Sequence, residues 1–147
     1  MTESAKSKMV HRQLASVEDG RGDFNEFVSC MTEDGTYQFG NFDPHVTRAG
    51  ILQGFMDLIP MVRGDFAKVK VGHDIYIFEE VGDRVFVHMD TVYRVDGEEK
   101  MRLPCFAVYT FEGELIKKLQ TFLDTSPLFQ NTSALVPHGA AFQGLPT

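Results

Sequence analysis

Arg84-Val-Phe-Val-His-Met-Asp-Thr-Val-Tyr-Arg-Val95 reads as a β-strand with two ionisable groups at its centre. Side chains alternate faces along a strand, so His88 and Asp90 share one face with Phe86 and Val92, and Val87, Met89 and Tyr93 share the other. Turn signals bracket it, Gly82-Asp83 before and Asp96-Gly97 after, the latter a strong hairpin pair. A strand closed by turns at both ends is the middle of an antiparallel meander. A histidine beside a carboxylate is also a natural proton-transfer pair, because the carboxylate favours and orients the imidazolium.

Outward from this strand the period stays at two. Residues 67–80 form a long preceding strand, bent at Gly72. Residues 100–111 follow, and Glu112-Gly113 turns the chain into a last strand over 115–124. Towards the N-terminus the period becomes helical. Residues 4–18 carry Met9, Leu14 and Val17, with Ser4 as N-cap. Asp19-Gly-Arg-Gly-Asp23 is a turn whose last residue caps a short helix over 24–31. A short strand spans 36–39. After a loop through Asn41, Asp43 and Pro44, Thr47 caps a third helix bearing Ile51, Leu52, Phe55, Leu58 and Ile59. Helices first and antiparallel strands afterwards define an α+β fold, a curved, mostly antiparallel sheet wrapped around three N-terminal helices as a cone-shaped barrel. Such a sheet leaves a cavity on its concave side. Residues 1–129 make a single domain. The stretch 130–147, rich in Gly, Ala, Ser and Pro, reads as an extended or partly disordered tail.

Composition limits the function. The 147 residues are 43% hydrophobic and 24% charged, ordinary for a soluble domain able to bury a core. A net charge of −7 with scattered Lys and Arg argues against nucleic acid or an anionic membrane as partner. Cys30 and Cys105 lie in apolar segments without metal-ligand spacing and read as buried free thiols. The N-terminus lacks the apolar stretch of a signal peptide, so the expected compartment is the cytoplasm. Phosphate loops and dinucleotide fingerprints are absent, and no cofactor and no metal is implied. His73-Asp74, after Gly72, reads as an exposed pair in a bend. His45 and His138 fall in loops, and Asp124 reads as a structural or rim residue.

Several strings in this order resemble the nuclear transport factor 2-like superfamily: Thr32-Glu-Asp-Gly-Thr-Tyr37, Thr47-Arg48, Phe111-Glu-Gly-Glu-Leu-Ile116 and Phe122-Leu-Asp124. The superfamily includes SnoaL-like polyketide cyclases, ketosteroid isomerases and limonene epoxide hydrolase. The resemblance covers residues 5–129 and implies the cone fold and a homodimer joined through the outer face of the long sheet. It does not single out one activity, since the same cone hosts cyclases, isomerases, hydrolases, dehydratases and binders.

Residue by residue, the steroid isomerase pattern fails. No tyrosine precedes Tyr37, the base position falls near Phe39 and the acid position on Ala107. The epoxide hydrolase pattern fits better: its Arg-x-Asp pair aligns with His88-Met-Asp90 and its water-holding tyrosine with Tyr37. Its asparagine falls on Phe39 and its base on Thr121. The resemblance thus places His88, Asp90 and Tyr37 as catalytic candidates in a pocket walled by Phe39, Phe55, Leu103, Cys105, Ala107, Tyr109, Leu119 and Thr121. It implies cofactor-free acid–base chemistry on a small apolar molecule such as a polyketide, terpenoid or steroid-like compound: isomerisation, cyclisation, dehydration or hydration. The alternatives are a non-catalytic ligand-binding or dimerisation module, and His88 and Asp90 as an ion pair on the outer face.

Overall fold

A computed structural model of the chain describes residues 3–129. The expected tail and His138 lie outside the described residues. Three helices, α1 (Ala5–Ser16), α2 (Phe24–Ser29) and α3 (Thr47–Leu58), pack on a six-stranded sheet. Its strands are β1 (Met31–Phe39), β2 (His45–Val46), β3 (Lys70–Val81), β4 (Arg84–Val95), β5 (Glu98–Glu112) and β6 (Leu115–Phe122). The sheet order is β2-β1-β6-β5-β4-β3, with only β1 and β6 parallel.

The local signals act as expected at the helix starts. Ser4 accepts a hydrogen bond from Ser7 N at 3.0 Å, and Asp23 accepts from Glu26 N at 3.0 Å. Thr47 opens α3 with φ at 71°, and its hydroxyl accepts from Gly50 N at 3.1 Å. Several boundaries shift by one or two residues, and two strand starts differ by more. The strand expected over 36–39 begins at Met31, and the strand expected from 67 begins at Lys70 after a 3-10 turn, Phe66–Lys68. His45–Val46 adds a two-residue strand, paired to Thr36 and Tyr37, where a loop was expected.

One irregularity governs the fold's chemistry. The hairpin after β4 pairs Val95 with Glu98 and Arg94 with Glu99, but Tyr93 with Met101, which leaves Lys100 as an extra residue on β5. A bulge of this kind shifts the register by one from there on. Continuing the hairpin's own register would set His88 opposite Cys105 and Asp90 opposite Leu103, on the concave face. With the bulge, Met89 faces Cys105 and Thr91 faces Leu103, while His88 faces Phe106 and Asp90 faces Pro104.

The concave face therefore carries Val85, Val87, Met89, Thr91 and Tyr93 from β4 and Leu103, Cys105, Ala107 and Tyr109 from β5, all buried. Val10 and Leu14 of α1, Phe27 and Val28 of α2 and Ile51 of α3 close over most of them in the main core. A second cluster, Phe42, Val62, Tyr93, Leu103, Leu128 and Phe129, fills the other end. Backbone pairing of Arg63 N to Leu128 O at 2.8 Å pins the 62–63 and 128–129 segments together there.

Candidate active site in the cone

Between the two clusters lies a cavity of about 160 Å³, large enough for a small ring compound. Its wall is mainly aromatic. Phe24 and Phe55 stack with centroids 4.4 Å apart, and Phe27 meets Phe55 edge-on at 5.0 Å. Tyr37 lies 5.4 Å from Phe27 and 5.8 Å from Phe55. Tyr37, expected as a catalytic candidate, lines the cavity together with the expected wall residues Phe39, Phe55, Cys105, Tyr109, Leu119 and Thr121. Leu103 and Ala107 point to the same face but are buried in the packed clusters and do not reach it.

The expected pocket position of His88 and Asp90 is corrected: both sit on the outer face of the sheet, because of the Lys100 bulge. Asp90 accepts hydrogen bonds from the Tyr76 hydroxyl and from Arg102 Nη1, the latter at 3.1 Å. These two bonds, Tyr76 first, hold its carboxyl below the usual range. Arg102 also pairs with Asp74 at 2.8 Å and Glu99 at 2.8 Å. His88 is exposed, its ring 5.4 Å from that of Tyr76. Around this ionic group the outer face is apolar, with Phe86, Phe106 and Phe122 in a row at 6.3 and 6.5 Å spacing. Tyr76 is itself the extra residue of a second bulge, on β3 between Ile75 and Ile77.

The polar groups that do reach the cavity come from elsewhere. Tyr37 and Thr121 both reach the cavity; the Thr121 hydroxyl donates to Gln38 O and accepts from Gly40 N, each at 3.4 Å, and burial pushes the Tyr37 phenol well above its ordinary value. Burial likewise raises Cys105 to about 11 and lifts Tyr93 and Tyr109 strongly, so at neutral pH all four are uncharged. Two histidines complete the lining, His45 and His73.

The expectation of an exposed His73 is also corrected. Its side chain is only 8% exposed, and Nδ1 lies 3.3 Å from the Glu18 carboxylate. The strand runs straight through Gly72, so His73 shares the inward face with Val71 and Ile75. That two-residue alternation is the signal in the sequence that marks it. Glu18 is set beside it by a backbone bridge, Asp19 N to Val71 O at 2.9 Å. His45 is placed by its pairing with Tyr37 and by Gly54 of α3. A Cβ on Gly54 would fall 2.7 Å from the imidazole, so only glycine admits the ring there. Nothing in the local sequence announces that contact. Among the described residues no group of three or more His, Cys, Asp or Glu side chains is arranged to hold a metal ion. No helix among them is long and apolar enough to cross a membrane.

A helix-lined, curved six-stranded sheet enclosing an apolar cavity is the nuclear transport factor 2-like fold, and solved structures agree. A nuclear transport factor 2-like protein of unknown function from Burkholderia pseudomallei superposes with a TM-score of 0.67 at 14% identity, over 91% of this chain and 98% of that one. A Catenulispora acidiphila protein with a ketosteroid isomerase-like fold, solved with trimethylamine, gives 0.62 at 17% identity, over 88% and 92%. An LEH-like epoxide hydrolase from M. tuberculosis gives 0.61 at 13%, over 84% and 85%. The family model of the SnoaL-like domain matches residues 10–119, and the chain belongs to that family. No curated protein matches it in sequence.

Proposed function

We propose that this SnoaL-like protein takes a small, largely apolar molecule into the cone and carries out cofactor-free acid–base chemistry on it. The observation that supports this reading is an aromatic cavity of about 160 Å³ into which two hydroxyls and two imidazoles converge. An apolar wall rewards a ring compound for leaving water, and a few directed polar atoms fix its orientation. Tyr37, kept neutral by burial, is the natural donor to a carbonyl oxygen, with the Thr121 hydroxyl on the same cavity wall. A non-catalytic binder of the same fold would use the same polar groups for orientation alone.

Cyclohexenone and cyclohexene, which share a six-membered ring and differ in one carbonyl oxygen, test the cavity by ligand-observed NMR titration. Both are expected to bind saturably. Tyr37→Phe is expected to weaken cyclohexenone about fivefold, the loss of one hydrogen bond of about 1 kcal/mol, and to leave cyclohexene unchanged. Absence of saturable binding by either probe refutes the reading.

We also propose a homodimer through the outer face of the sheet. Phe106, Phe122 and Ile77 are 40%, 49% and 54% exposed there, next to Phe86 and the Arg102 group. A contiguous apolar face of this kind rimmed by charge is characteristic of an interface. His88 and Asp90 then belong to the contact between copies rather than to the cavity. Analytical ultracentrifugation is expected to show a dimer for the native chain and a monomer for Phe106→Glu, and a monomeric native chain at micromolar concentration would overturn the assignment.

A further inference from the structure

We infer that His73 is the general base of the cavity and that Glu18 is its positioning residue, an imidazole–carboxylate pair on the concave wall. The inference rests on the cavity reading above and names the group that moves the proton.

His73 is a polar side chain more than nine-tenths buried, it lines the cavity, and its Nδ1 has no hydrogen-bond partner in the described structure. Burying a polar nitrogen without a partner costs free energy, so such a position asks for a reason. The Glu18 carboxylate lies within ion-pair distance of Nδ1 but off the line of an N–H. A small rotation of the ring completes the bond, as is common for catalytic pairs that tighten only around a bound molecule. With Nδ1 turned to Glu18, Nε2 on the far side of the ring is left for the cavity. A carboxylate on Nδ1–H fixes this tautomer and makes Nε2 the proton acceptor.

The other titratable cavity groups do not compete for the role. Tyr37, Tyr93, Tyr109 and Cys105 all hold their protons more tightly through burial, which makes them donors and poor bases. Among the described residues His45 has no carboxylate partner. Packed against Gly54, it supplies a second imidazole from the helix side of the cavity. The substrate class that this arrangement fits is a small ring compound with an acidic C–H beside a carbonyl. His73 Nε2 takes the proton, and the C–H electron pair moves into the carbonyl to give an enolate held by Tyr37. The proton returns to another carbon or to a departing hydroxyl, so the step needs no redox partner.

Nitrobenzisoxazole tests the pair without knowledge of the natural substrate. A base removes its one acidic ring proton, the C–H electrons form a nitrile, the N–O bond breaks, and the oxygen leaves as a coloured phenolate. The native chain is expected to turn it over with saturation. His73→Gln, which keeps a polar side chain in place, is expected to lower kcat about a hundredfold, within the range of a positioned general base, with KM little changed. Glu18→Ala is expected to lower kcat by less, again with KM unchanged. It should also abolish the Nδ1–H tautomer in the 15N spectrum of His73, a signal that a purely structural role would not move. If the probe binds but the native chain is no faster than free imidazole, or if His73→Gln keeps full kcat, the pair is wrong while the cavity stands. If neither this probe nor cyclohexenone binds, the cavity reading fails and the pair falls with it.

Discussion

Met89→Asp is expected to remove much of the chain's stability, whereas Asp90→Met, the reciprocal exchange one residue further on, is expected to be tolerated. Met89 is 2% exposed and faces Cys105 across the sheet, in the main core with Val87 and Tyr109. No lysine or arginine lines the cavity that Met89 borders. A carboxylate placed there either ionises without a partner or takes up a proton, and either outcome costs about 3–5 kcal/mol. The lost burial of the thioether adds about 2 kcal/mol. Domains of this kind hold about 5–15 kcal/mol in total, so the midpoint of thermal unfolding should fall by about 10 °C or more. Asp90 instead lies on the outer face with Tyr76 and Arg102, its side chain 13% exposed, and Arg102 keeps Asp74 and Glu99 when it is lost. Differential scanning calorimetry on the two variants decides the register. The reverse ranking would mean that the bulge at Lys100 does not exist and that His88 and Asp90 face inward after all.

That one inserted residue marks how far the sequence could be read. The meander, its turns and the cone were legible because each rests on local chemistry. The Asp96-Gly97 turn has φ of 52° and 78°, which an aspartate and a glycine tolerate, and Gly82 and Gly113 turn with φ of 61° and 63°. The face of β4 was not legible from an alignment without gaps, since a bulge between β4 and β5 changes every side chain's direction beyond it. The apolar alternation of Val85, Val87, Met89 and Tyr93 was the better guide, being dictated by burial itself. His73 carried the same signal, flanked at two-residue spacing by Val71 and Ile75, and it was obscured by reading Gly72 as a bend. Glu18 reaches His73 from a loop after α1 and His45 reaches the cavity from a two-residue strand, and their roles depend on backbone contacts far away in sequence. The most chemically suggestive string in the sequence thus belongs to the outer face, and the cavity's own pair is assembled from two separate elements.

The second large effect is expected at high pH, where the concave face should bring about unfolding in a narrow range. Burial raises Cys105 from 9.0 to about 11 in the folded chain. A group whose folded value lies above its unfolded one contributes stability in full below the unfolded value and loses it as pH rises through the folded one. Cys105 alone therefore accounts for a loss of about 2–3 kcal/mol between pH 9 and 11, at about 1.4 kcal/mol per unit. Tyr37, Tyr93 and Tyr109, all raised by burial, add to the same slope above pH 10. Of the four tyrosines only Tyr76 is exposed, at 56%. Tyrosinate absorbance should accordingly rise for the three buried phenols in one step, coincident with the loss of far-UV circular dichroism. Three buried phenols ionising gradually in a chain still folded would contradict this account. Cys105→Ala should flatten the part of the stability curve between pH 9 and 10. The same desolvation bears on function. It leaves Cys105 almost wholly a thiol at neutral pH and so a weak nucleophile. It also keeps Tyr37 a hydrogen-bond donor throughout the physiological range. Among the cavity groups, proton acceptance is then left to imidazole, which is why the chemistry of this cone should stand or fall with His73.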